Sequence, residues 1–358
     1  MDDHSRFTRT FLLKHKFDTV NILINFFNMV ETQFKTKVKQ MRSDNAALLN
    51  HHFKQSRHDY SFFTNGSGHQ TIYLLVYVDN TILASPSKDM LYKVHKLLES
   101  LFKLKILGDL KYFLVWNWQD QMRKLFLANP TFLPIEPNLR LSSSDGELLT
   151  DPASYRRLIG RLMYLTISRP DITYAISTLS QFLSQPRTSH LHALHHLLRY
   201  IKGTIGQGLL FLANSEKRLI GYVNVDWAGC LDTRWSVTGF CLFIGNSLVA
   251  WRSKKQITVS RSSAESEYWA MVAAPAKLKW LKGLLLDFQV DIPSSMLFCD
   301  SQSIIHIASN PTFHERTKHI EVDFHFVREK VVAGFIRPIH VRTQHQLATV
   351  FTKPVTPA

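Results

Sequence analysis

The chain has 358 residues, of which 45% are hydrophobic, 20% charged and 12% aromatic, a balance that excludes compositional disorder and suffices for two or more packed cores. Its 43 Lys and Arg against 28 Asp and Glu leave a net charge of +15, which points to an anionic partner, nucleic acid first and an acidic membrane surface second. Three cysteines, Cys230, Cys241 and Cys299, without a CxxC pair argue against a disulfide scaffold and a cysteine-rich zinc site and fit a reducing compartment; no apolar run approaches the roughly 18 residues of a membrane helix, so the chain is expected to be soluble.

In chain order, 7–14 has the pattern of a short strand, and Val20, Leu23, Ile24, Phe27, Val30 and Phe34 fall at helical spacing. The apolar runs 72–78 and 81–84 flank Asp79-Asn80 and predict a hairpin, followed by a helix at 90–102 and an apolar strand at 112–116. That order is α+β. Residues 126–152, rich in Pro, Asn and Ser, predict an irregular connection. Helical patterns then occupy 154–165, 172–183 and 190–201, with Pro170 and Pro186 as stops and Gly203 as the last end. Three strands (219–225, 238–244, 248–251), a helix at 264–288, a strand at 297–299, a helix at 301–309 and a strand at 336–341 make a mixed α/β unit.

Carboxylates at strand ends are the strongest chemical signal, because a divalent metal needs several oxygen ligands converging from different elements. Asp79 lies in the hairpin turn, Asp226 ends one apolar strand, Asp300 ends another, and Glu267 lies near the start of the long helix. Spacing alone leaves open that Asp79-Asn80 is an ordinary turn pair and the others caps or surface charges. His192 and His196 stand four apart on one helix, but without a Glu between them or a third ligand nearby a solvated or phosphate-facing helix is the better reading. Basic residues interleave with aromatics in Trp251-Arg-Ser-Lys-Lys-Gln-Ile-Thr-Val-Ser-Arg261, which leads into the helix bearing Glu267, the arrangement that holds a phosphate backbone beside a metal-dependent phosphodiesterase site, or a Lys-protected sheet edge.

Beyond spacing, whole blocks are recognisable. Leu75-Val-Tyr-Val-Asp-Asn-Thr-Ile-Leu-Ala84 resembles the palm hairpin of a reverse transcriptase, and Gly108-Asp-Leu-Lys-Tyr-Phe-Leu114 resembles the strand after it in copia-type retrotransposons. Tyr155-Arg-Arg-Leu-Ile-Gly-Arg-Leu-Met-Tyr-Leu165 and Arg169-Pro-Asp-Ile-Thr-Tyr-Ala175 resemble that family's connecting helices. Asp226-Trp-Ala-Gly-Cys230, Trp251-Arg-Ser-Lys-Lys-Gln256, Ser262-Ser-Ala-Glu-Ser-Glu-Tyr268, Phe298-Cys-Asp-Ser-Gln302 and Phe313-His-Glu-Arg-Thr-Lys-His-Ile320 resemble its ribonuclease H domain. Asp3-His-Ser-Arg-Phe-Thr, Phe11-Leu-Leu-Lys and Arg42-Ser-Asp-Asn45 resemble the middle of its integrase core, with Asp44 at the position of the second catalytic Asp.

The resemblance implies a truncated, internally deleted Pol fragment: an integrase-core remnant at 1–50, a partial reverse-transcriptase palm at 51–125, connection or thumb-like helices at 126–210 and a ribonuclease H-like mixed sheet with helices at 211–358. It implies an inert integrase piece and a polymerase site in which Asp79 matches one carboxylate while Asn80 stands at another. In the ribonuclease H site, Glu267 matches the helix Glu, with Glu265 as the alternative, and Asp300 matches the Asp of the fourth strand. The first Asp aligns with Asn224 and the last with Thr349. Asp226, two residues along the strand, shares a face with Asn224 and is a makeshift third ligand displaced by about 7 Å.

The implied partner is nucleic acid, an RNA/DNA hybrid or template-primer, held by Arg252, Lys254, Lys255, Arg261, Arg316 and Lys318. Any surviving catalysis would be Mg²⁺-dependent, or Mn²⁺-dependent, with Asp226, Glu267 and Asp300 as metal ligands. Little or no catalysis is expected; the alternatives are an active ribonuclease H and an unstable relic.

Overall fold

The computed structural model describes residues 48–77, 80–102, 108, 112–113, 116–117, 133–212, 215–292, 294–309 and 321–354. The strand and helix expected before residue 48, Asp44, Asp79, Arg316 and Lys318 lie outside these residues.

Four antiparallel strands in sequence order, β1 (Lys54–Gln55), β2 (Phe62–Asn65), β3 (Ile72–Tyr77) and β4 (Asn80–Ala84), form the first sheet. The expected hairpin is present, with Tyr77 opposite Asn80 and Tyr73 opposite Ala84. Alternation along β2 and β3 buries Phe63, Ile72 and Leu74, and α1 (Lys88–Leu101) closes this core with Val94 and Leu98. The helix starts two residues before the expected 90, because Ser87 caps it by accepting from the amide of Met90. The apolar run 112–116 is not one strand. It folds back as β5 (Tyr112–Phe113) and β6 (Trp116–Asn117), with Phe113 opposite Trp116, a difference that alternation of apolar residues cannot reveal.

The connection is an α-helical unit. Helix α2 (Pro152–Leu165) begins with Pro at its first position behind an Asp151 cap whose Oδ1 accepts from Ala153 and Ser154. Helices α3 (Thr173–Leu179) and α4 (Thr188–Gly203) pack on it through Tyr155, Ile159, Ile172, Ile176, Leu194 and Leu197. The sequence pattern extends α3 to 183, but its last turn tightens to a 3-10 turn at Ser180–Phe182. Arg169 is buried here. Its guanidinium grips Asp171 at 2.6 Å and the carbonyl of Thr204 at 3.1 Å, and the Tyr200 hydroxyl donates to the same Asp171 carboxylate at 2.9 Å.

The third unit is a five-stranded sheet ordered β11-β10-β7-β8-β9. Strands β7 (Leu219–Asp226), β8 (Val237–Ile244) and β9 (Ser247–Lys255) are an antiparallel meander; β10 (Ser295–Cys299) and β11 (Ile336–His340) add in parallel on the other edge of β7. Helix α5 (Ser263–Asp287) crosses between β9 and β10, with α6 (Gln302–Ser309) and α7 (Glu321–Val332) between β10 and β11. Leu219, Val223, Phe240 and Leu297 meet α5 through Tyr268, Met271, Ala274 and Leu278 on one face. The opposite face holds a smaller core of Cys241, Phe243, Leu248, Ala348 and Phe351. Two features differ from expectation: β9 runs four residues past 251, through Arg252–Lys255, and α7 occupies a segment read without a helix.

Candidate carboxylate site

Because side chains alternate across a strand, Ile220, Tyr222, Asn224 and Asp226 share the β7 face turned away from α5. The C-terminal 3-10 turn Leu347–Phe351 lies on this face. Its approach depends on Gly239, the β8 partner of Asn224: a Cβ there would sit 2.6 Å from Thr352 Cγ2 and 2.8 Å from Phe351 Cβ. Gln346 anchors the turn from below, its amide donating to the Val223 carbonyl at 3.0 Å while its own oxygen accepts from Ala348.

The consequence is a direct contact between the two positions at which the family resemblance places carboxylates. Asn224 Nδ2 donates to Thr349 Oγ1 at 3.2 Å and to Thr352 Oγ1 at 3.1 Å. The amide is 9% exposed. Two ionised carboxylates at this spacing would repel unless a cation lay between them; an amide and a hydroxyl satisfy one another without one.

The β10–β7 pairing runs as far as Phe298 opposite Tyr222, and Asp300 directly follows the end of β10 at Cys299. Glu267 is in the second turn of α5. Burial pushes the Cys299 thiol up to about 12, and the charges of Asp300 and Glu267 act in the same direction, so both carboxylates lie in the electrostatic neighbourhood of the end of β10. Glu265 is committed elsewhere: the Ser262 hydroxyl caps α5, and Glu265 Oε2 accepts from the Arg261 amide at 2.7 Å.

Asp226 stands apart from that pair. Its carboxylate folds over Gly229, where a Cβ would collide with it. Burial raises its pKa, Lys353 opposes the rise, and its charge contributes, after burial, to raising the Tyr174 hydroxyl on α3. The following turn is tied to the connection unit, with Asp232 accepting from the Ser142 hydroxyl at 2.6 Å and the Ser143 amide at 2.8 Å. Among the described residues no three His, Cys, Asp or Glu side chains form a group that could hold a metal ion, so the residues as placed do not fit the divalent cation that the resemblance implies.

The expected cationic residues separate by strand parity. Arg252 and Lys254 are exposed on the α5 side of β9, where the Arg252 charge adds to burial in lowering the Lys277 pKa. Lys255 points to the other face, 5.1 Å from the Trp235 ring centroid and 3.6 Å from Cys230 Sγ. Arg261 is exposed at the start of α5, beside the half-exposed Trp227, whose indole donates to Ser260. His196 is not a partner of His192, since its ring contacts the Leu133 carbonyl at 2.8 Å and Glu136 at 3.4 Å. Sequence reasoning missed the burial of Asp226 beside Tyr174, which only the packing of α3 over the sheet creates.

The family model for reverse transcriptase (RNA-dependent DNA polymerase) matches residues 35–134, starting inside the segment read as an integrase remnant. The chain is 35% identical over 327 residues to the retrovirus-related Pol polyprotein from transposon RE1 of Arabidopsis thaliana, a match covering 86% of this chain and 22% of the relative. The corresponding protein from transposon TNT 1-94 of Nicotiana tabacum is 31% identical, over 82% of this chain and 24% of its own. The chain belongs to the copia-type retrotransposon Pol polyproteins. It spans about a fifth of the length of these Pol relatives. An uncharacterized mitochondrial protein of Arabidopsis thaliana is 36% identical over 58% of this chain and 94% of its own length. Among solved structures, a ribonuclease H1 from the archaeon Halobacterium salinarum is similar at 16% identity, covering 37% of this chain and 90% of its own, with a TM-score of 0.28. This Pol chain combines a reverse-transcriptase match over residues 35–134 with a separate five-stranded mixed sheet.

Proposed function

We propose that this Pol chain binds nucleic acid, with RNA/DNA hybrid as its ligand, through a ribonuclease H-like unit whose catalytic site is degenerate, and that it performs little or no catalysis. One observation carries this reading: the Asn224 amide and the Thr349 hydroxyl hydrogen-bond where the family pattern calls for two metal-binding carboxylates. The +15 net charge and the exposed Arg252, Lys254 and Arg261 support the binding half.

An amide offers a metal a neutral donor and a hydroxyl a weaker one, so the ion that would position the attacking water and stabilise the leaving oxygen loses its charge complement. Loss of one such group costs on the order of 10² to 10⁴ in rate, and two losses leave nothing measurable. Glu267 and Asp300 then act as ordinary surface carboxylates. The polymerase reading follows the same logic, with Asn80 at a carboxylate position.

Titration of a labelled RNA/DNA hybrid with the purified chain at several salt concentrations tests the proposal. Affinity is expected to fall steeply with salt and to be the same in Mg²⁺ and in EDTA. Absence of binding at low salt, or binding that needs the metal, contradicts it.

A further inference from the structure

Helix α4 carries His192, His195, Arg199 and Lys202, all exposed, at the i, i+3, i+7, i+10 spacing that aligns side chains along one helix face. With the half-buried Leu198 they line a shallow groove of about 470 Å³. Among the described residues none of the four is hydrogen-bonded or ion-paired, in contrast to His196 one turn along, which is tied to Leu133 and Glu136. The opposite face of α4 is fixed by Ala193, Leu194, Leu197 and Tyr200 in the connection core, so the row of two histidines, Arg199 and Lys202 stands on a packed support.

We propose that this face of α4 is a second nucleic-acid contact, separate from the carboxylate site, that grips the phosphate backbone of a duplex. The inference rests on the nucleic-acid reading above and adds where on the connection unit the strand runs. From His192 to Lys202 the row extends about 15 Å, at 1.5 Å per residue, and a duplex offers about four phosphates per strand over that length. Arg199 and Lys202 supply charge and the imidazoles supply N–H donors, the complement of a phosphate backbone, so the contact is expected to be indifferent to sequence.

The test uses the full chain and a labelled RNA/DNA hybrid, comparing Arg199→Glu/Lys202→Glu with Lys88→Glu/Lys93→Glu, an equal change of charge placed on α1. The α4 pair is expected to weaken binding at least tenfold more than the α1 pair and to reduce the slope of log affinity against log salt by about two. Circular dichroism keeps the comparison to folded variants, and His192→Ala/His195→Ala, which changes no formal charge, is expected to weaken binding two- to fivefold. Equal losses in the two charge-reversal pairs would overturn the α4 site while leaving the nucleic-acid reading intact. Failure of the unaltered chain to bind the hybrid would overturn both. Loss of binding to phosphatidylserine vesicles with hybrid binding unchanged would assign the face to a membrane surface and refute the proposal.

Discussion

At the scale of single residues, the β7 face holds a hydrogen-bonded cluster, Asn224 with Thr349 and Thr352, where the family resemblance calls for carboxylates. The Thr352 hydroxyl already donates to the Thr349 carbonyl, so it accepts from Asn224 and has no proton to offer an anion. Asn224→Asp alone should therefore bury a carboxylate short of donors and destabilise the chain by about 1–3 kcal/mol at neutral pH. The loss should shrink as the pH falls and the new carboxyl takes a proton; thermal unfolding between pH 4 and 8 measures it, and a pH-independent loss would contradict the account.

Asp226 gives the converse prediction. Its folded pKa is raised, chiefly by burial, so the ionised form opposes folding at neutral pH, and the penalty disappears below the unfolded carboxyl range near 4. Asp226→Asn is expected to raise the melting temperature by roughly 1–3 °C at pH 7 and to leave it unchanged near pH 3.5. A lower melting temperature at pH 7 would mean that the Lys353 interaction outweighs desolvation.

At the scale of elements, the close approach of the C-terminal turn to the sheet is built on an absent side chain. Gly239→Ala should force the 347–351 turn away from β8, separating Thr349 from Asn224, at a cost of about 1–3 kcal/mol. Faster amide exchange at Ala348 and Phe351 would report the displacement; unchanged exchange would show that the turn is held by Gln346 alone. In the connection unit, Arg169→Ala strands Asp171 with only the Tyr200 hydroxyl and should destabilise that unit by about 3–5 kcal/mol, seen as new proteolytic cleavage within 133–210.

Elements were legible in the sequence wherever burial writes a period. Strands β7, β8 and β10 alternate or run apolar, and α2 and α4 carry caps and stops that mark their ends. The far end of β9 was hidden because Arg252, Lys254 and Lys255 are compatible with an edge strand only through their aliphatic stems and exposed heads, a pattern shared with loops. Helix α7 escaped for want of a clear apolar stripe. At the site, the identity of positions 224 and 349 was legible from the family blocks, but their hydrogen bond and the proximity of α3 to Asp226 depend on pairings more than forty residues apart.

At the scale of the whole molecule, the four-stranded sheet is joined to the five-stranded unit at the C-terminal end of α5. The Ser56 hydroxyl donates to Asp287 at 2.5 Å, the His58 ring lies 3.2 Å from the same carboxylate, the Trp280 indole donates to the His58 carbonyl at 2.7 Å, and Phe288 packs on Phe62 and Tyr73. The connection unit reaches the other face of the sheet, with Trp251 donating to Thr166 and Ser177 to Ser253. The five-stranded sheet is thus packed against the first sheet through one end of α5 and against the connection helices through β9.

The most direct test of the central claim is cleavage of an RNA/DNA hybrid in Mg²⁺ or Mn²⁺ by the unaltered chain beside Asn224→Asp/Thr349→Asp. The account predicts no metal-dependent cleavage by the unaltered chain and measurable cleavage by the double variant, lost again on Asp300→Asn. Cleavage by the unaltered chain that Asp226→Asn abolishes would contradict it, since the site would then be rebuilt around the displaced carboxylate.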